Sequence, residues 1–135
     1  KKNIILVGTP VWSQDVDVAA DSPIKGYSNL MYTFHFYAAT HKEMYREKVK
    51  AAVKKGLPVF VSEFGISESS GNGSIDKKEA NTWIQFLKKN KISYVCWSLS
   101  NKDESCSLLK SSSTRTGNFR KTDLSAAGRW YQAVK

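Results

Sequence analysis

The chain has 135 residues and carries 21 Lys and Arg side chains against 12 Asp and Glu, a formal charge of +9. Hydrophobic residues make up 41% and aromatic residues 12%, which is enough apolar surface to bury a core and argues against disorder. No window approaches the roughly 18 consecutive apolar residues of a membrane span, and two cysteines are too few for a disulfide scaffold. We therefore expect one domain over residues 1–135, without a membrane partner.

Strand and helix patterns alternate along the chain. Runs rich in Val, Ile, Phe, Tyr and Thr predict β-strands near residues 4–7, 30–37, 57–62 and 92–99. Helical spacing of apolar residues predicts helices at 42–55, 76–90 and 124–134, with a short helix near 16–20 in the first link. This order indicates an α/β fold in which parallel strands are joined by crossovers.

The second of the long helices has the clearest boundaries. Asp76 is placed to cap its N-terminus, with Glu79 three residues later. Its buried face should consist of Ala80, Trp83, Ile84 and Leu87.

The basic charge is concentrated in two of the helical segments. Most lysines lie in residues 42–55 and 77–91, on the faces opposite the apolar stripes. A solvated helix face explains this pattern, and no stretch interleaves basic with aromatic residues as a groove for single strands would. We therefore expect no nucleic-acid partner.

The predicted strand ends carry polar and aromatic side chains. Alternation places His35 and Tyr37 on one face of the second strand, and it places Glu63 with Val59 and Val61 on one face of the third, opposite Phe60, Ser62 and Phe64. Trp97 lies near the end of the fourth strand. In parallel folds the carboxyl ends of strands share one rim, where sites are built.

The convergence of His35, Tyr37, Glu63 and Trp97 suits carbohydrate chemistry. A carboxylate can attack an oxocarbenium-like carbon, and an indole can stack on a sugar ring. Structural interpretations stay open, since a rim glutamate is often an ion pair or cap and a strand-end Trp is usually core. We expect no metal and no cofactor, because His35 and His41 lack further ligands at suitable spacing.

Four runs then resemble the bacterial endoglucanases (cellulases) of glycoside hydrolase family 5. They are VGTPVWSQDVDVAA (7–20), LMYTFHFYAATH (30–41), VFVSEFG (59–65) and WSLSNKDESCSLLK (97–110). The resemblance covers essentially the whole chain. It implies a (β/α)8 TIM barrel of which this chain is the second, C-terminal half.

The resemblance also implies roles for particular residues. Glu63 matches the nucleophile, and His35 and Tyr37 match the residues that line the site and orient it. Trp97 and Trp12 match aromatic platforms for sugars, and Lys102 and Glu104 match groups that bind glucose hydroxyls. It further implies secretion and a β-glucan polysaccharide as the partner.

One part of the family pattern is missing. The acid/base of the family is the glutamate of an Asn-Glu-Pro motif, and no asparagine here is followed by glutamate. We therefore expect a fragment of a retaining endo-β-1,4-glucanase that carries the nucleophile but is weak or inactive when isolated.

The alternative is a non-catalytic half-barrel that assembles with itself or binds glycans. A phosphate-binding doubly wound domain is disfavoured, because no Gly-rich loop follows the first strand.

A half-barrel would expose two strand edges and an apolar surface, which drives association. The exposed row is expected to contain Ile4, Leu6, Val59, Val61 and Val95. We expect completion by the missing N-terminal half or by self-association, as a homodimer or a larger assembly.

Overall fold

A computed structural model describes residues 3–134, which form a parallel sheet with helices packed on one side. The strands are β1 (Ile5–Val7), β2 (Leu30–Tyr37) and β3 (Val59–Gly65). The helices are α1 (Pro10–Ser13), α2 (Val16–Ala19), α3 (Glu43–Lys54), α4 (Lys77–Lys89) and α5 (Ala126–Val134), with a 3₁₀ turn at Lys121–Asp123. The sheet order is β1-β2-β3 and both pairings are parallel, which confirms the predicted α/β class.

Residues 92–99 do not form the regular fourth strand that was predicted. They make a single parallel bridge, between Tyr94 and Val61. The Val95 N–H donates to the Val61 carbonyl at 2.9 Å, and the Trp97 N–H donates to the Phe64 carbonyl at 2.8 Å. The segment therefore runs along β3 without completing a ladder, because within residues 3–134 no strand pairs with its other edge.

Strand β3 lies further along the chain than the predicted 57–62. Leu57 lies just after the turn that follows α3, and its N–H donates to the Ala52 carbonyl at 3.1 Å. The strand then continues through Glu63 to Gly65, which pairs with Tyr37 at the end of β2. Its extension brings the polar ends of the two strands level with each other.

Helix α4 follows the sequence prediction closely. The Asp76 side chain accepts a hydrogen bond from the Glu79 N–H at 2.9 Å and so caps the helix. Its buried residues are Ala80, Trp83, Ile84 and Leu87, as predicted. Helix α5 begins two residues later than predicted, because Leu124 is extended and Ser125 Oγ accepts from the Gly128 N–H at 3.0 Å.

Aromatic rings fill the space between the sheet and α4. The Phe36 ring lies between Trp83, at 4.0 Å between centroids, and Phe64, at 5.1 Å. All three side chains are fully buried. This stack fixes the side of β2 and β3 that faces the helices, and thereby the side that remains for the site.

A β-bulge between the two strands reverses the expected alternation of β3. Phe34 pairs with Val61 but His35 pairs with Glu63, so Ser62 is an extra residue in the ladder. Val61 is consequently buried on the helix side, whereas Glu63 lies beside His35. The prediction that Glu63 shares a face with Val59 and Val61 is wrong, because one inserted residue moves every later side chain to the other face.

The expected exposed apolar row is only partly observed. Val59 and Val61 are buried, whereas Ile4, Leu6 and Val95 are exposed. The exposed apolar side chains therefore lie on β1 and residues 92–99, at the two edges of the sheet. No helix within residues 3–134 has the length and apolar character needed to cross a bilayer.

Candidate functional site

A cavity of about 370 Å³ opens at the carboxyl ends of β2 and β3. Its lining residues are Trp12, Gln14, His35, Tyr37, His41, Glu63 and Ser69. Four of these, Trp12, His35, Tyr37 and Glu63, are site residues that the sequence predicts. Glu63 is the one carboxylate among the lining residues of the described part of the chain.

Tyr37 and His35 lie beside the two oxygens of the Glu63 carboxylate. The Tyr37 hydroxyl donates to Oε1 at 2.8 Å, and His35 Nδ1 lies 3.8 Å from Oε2. Burial and the hydrogen bond to Glu63 raise the pKa of Tyr37, so its hydroxyl stays protonated and remains a donor. The carboxylate is thus fixed through Oε1, while about a quarter of the side chain (27%) stays open to the cavity.

The surroundings of His35 favour its neutral imidazole form. Burial lowers its pKa, and the Glu63 charge opposes that shift without overcoming it. Its Nε2 lies 2.8 Å from Ser62 Oγ, the hydroxyl of the bulged residue. The ring is therefore held between two consecutive residues of β3.

His41 is a lining residue whose place in the site the sequence reasoning missed. It is buried, its Nδ1 accepts from the Tyr37 N–H at 2.8 Å, and its Nε2 lies 3.0 Å from the Gln14 side-chain amide. Burial lowers its pKa. The position of His41 four residues after Tyr37, in the turn before α3, is a signal for such a contact, but its partner Gln14 is 27 residues distant.

Trp12 reaches the cavity from a left-handed turn. Val11, Trp12 and Ser13 have φ values of 53°, 50° and 61°, which are unfavourable for residues other than glycine. Thr33 Oγ1 donates to Ser13 Oγ at 2.7 Å and holds the end of the turn on β2. The indole is 85% exposed, so this strained turn displays a large flat apolar surface beside Glu63.

Trp97, Lys102 and Glu104 do not line this cavity. Trp97 is about half exposed at the incomplete edge of the sheet, and its backbone is bonded to Phe64. Lys102 Nζ lies 2.8 Å from Glu104 Oε2, and both residues line a separate shallow depression with Arg129. The expected gathering of His35, Tyr37 and Glu63 is thus observed with Trp12, and without Trp97.

The cavity contains the elements of nucleophilic catalysis on a sugar. One oriented carboxylate, a phenol donor and an exposed indole surround a volume that can hold a sugar ring. Within residues 3–134 no group of three or more His, Cys, Asp or Glu side chains is arranged to hold a metal ion. The chemistry that this site supports is that of the carboxylate.

Comparison with known proteins identifies the family to which the chain is similar. The model of the family described as Cellulase (glycosyl hydrolase family 5) matches residues 1–103. An endoglucanase of Clostridium saccharobutylicum is 48% identical over 126 residues, which are 93% of this chain and 28% of that protein. Endoglucanase A of Butyrivibrio fibrisolvens is 41% identical over 128 residues, 94% of this chain and 30% of that protein. The chain thus spans under a third of the length of either relative.

Solved structures agree with this result. The cellulase Cel5C_n superposes with a TM-score of 0.90 at 43% identity, over 96% of this chain and 39% of that one. The catalytic domain of Thermobifida fusca endoglucanase Cel5A superposes with a TM-score of 0.88 at 32% identity, over 96% and 45%. The parallel α/β structure described above therefore aligns with part of the barrel of those proteins.

Proposed function

Because the chain belongs to glycosyl hydrolase family 5, we propose that it carries Glu63 as the nucleophile of a retaining endo-β-1,4-glucanase. The observation that carries the proposal is the hydrogen bond of 2.8 Å from the Tyr37 hydroxyl to Glu63 Oε1, inside the cavity that Trp12 also lines. This bond leaves Oε2 as the oxygen that faces substrate.

The reaction follows the two-carboxylate scheme of retaining glycosidases. Oε2 of Glu63 forms a bond to the anomeric carbon, the glycosidic C–O bond breaks, and an acid gives its proton to the leaving oxygen. Water then hydrolyses the glycosyl ester with the same acid acting as base. Retaining enzymes place the second carboxyl group about 5 Å from the first, and the cavity lining within residues 3–134 offers no second carboxyl group. The proposal therefore assigns the acid/base to a different segment.

A β-1,4-linked glucan is the proposed substrate. The relatives named above are endoglucanases, and a variant of the Thermobifida fusca domain, with a TM-score of 0.85 to this chain, was solved in complex with cellotetraose. The exposed indole of Trp12 suits stacking on a glucose ring, and Trp97, Lys102 and Glu104 are proposed to contact further sugar units. An insoluble polymer cannot enter a cell, which supports secretion of the enzyme.

We also propose that residues 1–135 are the C-terminal half of the catalytic barrel. Ile5 and Leu6 on β1, and Val95 and Leu99 at the opposite edge, are exposed apolar residues beside unpaired backbone. Such edges favour pairing with another polypeptide. The partner that fits is the N-terminal half-barrel, because it would also bring the acid/base; a second copy of this chain would cover the edges without it.

The test combines this chain with a polypeptide containing the remaining length of the Clostridium saccharobutylicum endoglucanase. Hydrolysis of carboxymethylcellulose is followed as the release of reducing ends. Glu63→Gln should lower the rate by roughly 10⁴-fold or more, the order found when a nucleophile is removed. Glu47→Gln is the matched control, because Glu47 is an exposed carboxylate of α3. An active mixture whose rate is unchanged by Glu63→Gln would overturn the assignment.

A glycan-binding module without catalysis is the second candidate. It is favoured by one observation, the lone carboxylate of the cavity beside an exposed indole. Titration with cellotetraose, followed by tryptophan fluorescence in the chain and in Trp12→Ala, separates the two. Binding through Trp12 with no hydrolysis in the combined protein would favour the binding module.

A further inference from the structure

The bulge in β3 places the consecutive residues Ser62 and Glu63 beside His35, Ser62 at Nε2 and Glu63 near Nδ1. We propose that Ser62 is a positioning residue: its hydroxyl donates a hydrogen bond to His35 Nε2 and thereby keeps the ring proton on Nδ1, facing the Glu63 carboxylate. This inference deepens the proposed function, on which the role of Glu63 rests.

The direction of the Ser62 hydrogen bond follows from the charges around the ring. A neutral imidazole carries one N–H, and a hydroxyl can either donate to the other nitrogen or accept from this one. With the proton on Nε2, the lone pair of Nδ1 would lie 3.8 Å from the negative Oε2 of Glu63. With the proton on Nδ1, the N–H dipole faces that oxygen favourably, and Ser62 Oγ donates to Nε2 across 2.8 Å.

The other histidine of the cavity has the opposite arrangement. His41 Nδ1 accepts from the Tyr37 backbone N–H, so its proton lies on Nε2. The Gln14 amide nitrogen lies 3.0 Å from that ring nitrogen, and exchanging the nitrogen and oxygen of this amide lets the oxygen accept the proton. The two imidazoles are thus expected to be different tautomers within one cavity. Burial lowers the pKa of both, which keeps both neutral near pH 8.

The proposed tautomer has a consequence for the nucleophile. The Tyr37 hydroxyl donates to Oε1, and the proposed His35 N–H faces Oε2 across the 3.8 Å between Nδ1 and that oxygen. A ring that could exchange its proton between nitrogens would present a lone pair to Oε2 for part of the time. The bulge therefore has two effects on the site. It directs Glu63 into the cavity, and it supplies the Ser62 hydroxyl that fixes the tautomer of His35.

The experiment is a long-range ¹H–¹⁵N correlation spectrum of the ¹⁵N-labelled chain at pH 8, without substrate. The chain contains two histidines, so His41→Gln assigns both imidazoles at once. We expect the His35 proton on Nδ1 and the His41 proton on Nε2. Finding the His35 proton on Nε2 in the wild-type chain would overturn the proposal.

Three variants sharpen the measurement. Ser62→Ala should move His35 towards the Nε2–H form, whereas Ser62→Thr, which keeps the hydroxyl, should retain Nδ1–H. Ser69→Ala removes another hydroxyl of the same cavity and should leave both tautomers unchanged. An unchanged Nδ1–H population in folded Ser62→Ala would also overturn the proposal, and the wild-type spectrum decides if that variant does not fold. The NMR experiment measures no turnover. Its outcome for the His35 tautomer is therefore independent of whether the hydrolysis test succeeds.

Discussion

The centre of the sheet and its two edges differ in how completely their side chains are packed. Phe34, Phe36 and Phe64 at the centre are fully buried under the helices, and the polar groups on the opposite side of β2 and β3 hydrogen-bond to one another. At the edges, Ile5 and Leu99 are exposed apolar side chains. Glu63, His35 and Tyr37 are therefore placed by a packed core, whereas Trp97 lies at the incompletely paired edge and Lys102 and Glu104 follow it in the chain.

The strongest test of this difference removes a central ring. Phe36→Ala should lower the free energy of unfolding by about 3–5 kcal/mol, because it deletes a buried ring that packs on Trp83 and Phe64. Leu99→Ala at the edge should change it by less than about 0.5 kcal/mol. Urea denaturation followed by tryptophan fluorescence measures both, and similar losses in the two variants would contradict the comparison.

A smaller loss is expected where α5 meets the loop before it. A Cβ atom on Gly128 would lie 2.0 Å from the Leu108 carbonyl oxygen, so Gly128→Ala should cost about 1–3 kcal/mol. Glycine to alanine within a helix is ordinarily stabilising, so the sign itself is diagnostic. Gly117→Ala, where no atom lies within 4 Å of the added carbon, is the control. A Gly128→Ala protein as stable as the wild type would show that α5 is free to shift.

The cap of α4 should contribute less, and its contribution should depend on pH. Asp76→Ala should lower stability by about 1 kcal/mol at pH 7. The Glu79 N–H and then Lys42 lower the pKa of Asp76 below 3.8, so the stabilisation is complete above pH 3.8 and is lost as the pH falls through the lower folded value.

The check compares Asp76→Ala with the wild type in urea at pH 7 and again below the folded pKa. The difference in the free energy of unfolding between the two proteins should be smaller in acid, where neither protein carries a negative charge at residue 76. Asp76→Ser keeps a capping oxygen and should stay near the wild type at pH 7, with less dependence on pH. A difference between wild type and Asp76→Ala that grows in acid would show the opposite linkage.

The smallest change in stability is expected at the open edge. Val95→Ser together with Leu99→Ser should leave the urea midpoint almost unchanged, since both side chains are exposed. The association proposed for this edge, measured by sedimentation of the chain alone and with the N-terminal half-barrel, should weaken, because the apolar surface beside the unpaired backbone is reduced. Unaltered association would locate the contact on β1 instead.

The sequence predicted correctly those features that depend on interactions between residues close together in the chain. The buried face and the cap of α4 follow from spacing within fifteen residues, and the parallel order follows from alternation of strands and helices. The side of the sheet on which Glu63 lies could not be predicted in this way. The alternation of side chains along a strand assumes a regular ladder, and the sequence does not show that Ser62 forms a bulge. The contact of Gln14 with His41 joins segments 27 residues apart and needs the folded chain.

The incomplete ladder at 92–99 was missed for a related reason. The segment has strand composition, but whether a ladder forms depends on neighbours on both sides. Within residues 3–134 it has only β3, so composition predicted a strand that the pairing does not complete.

The left-handed turn at Val11–Ser13 has a consequence for redesign of the cavity. The Ser13 and Gln14 N–H groups donate to the Thr9 and Pro10 carbonyls within this turn, and the Thr33 hydroxyl fastens Ser13 to β2. Redesign should therefore exchange the ring at Trp12 for other flat or smaller groups and leave Ser13 and Thr33 alone. The scaffold would then present each new side chain to the same cavity that Glu63 lines.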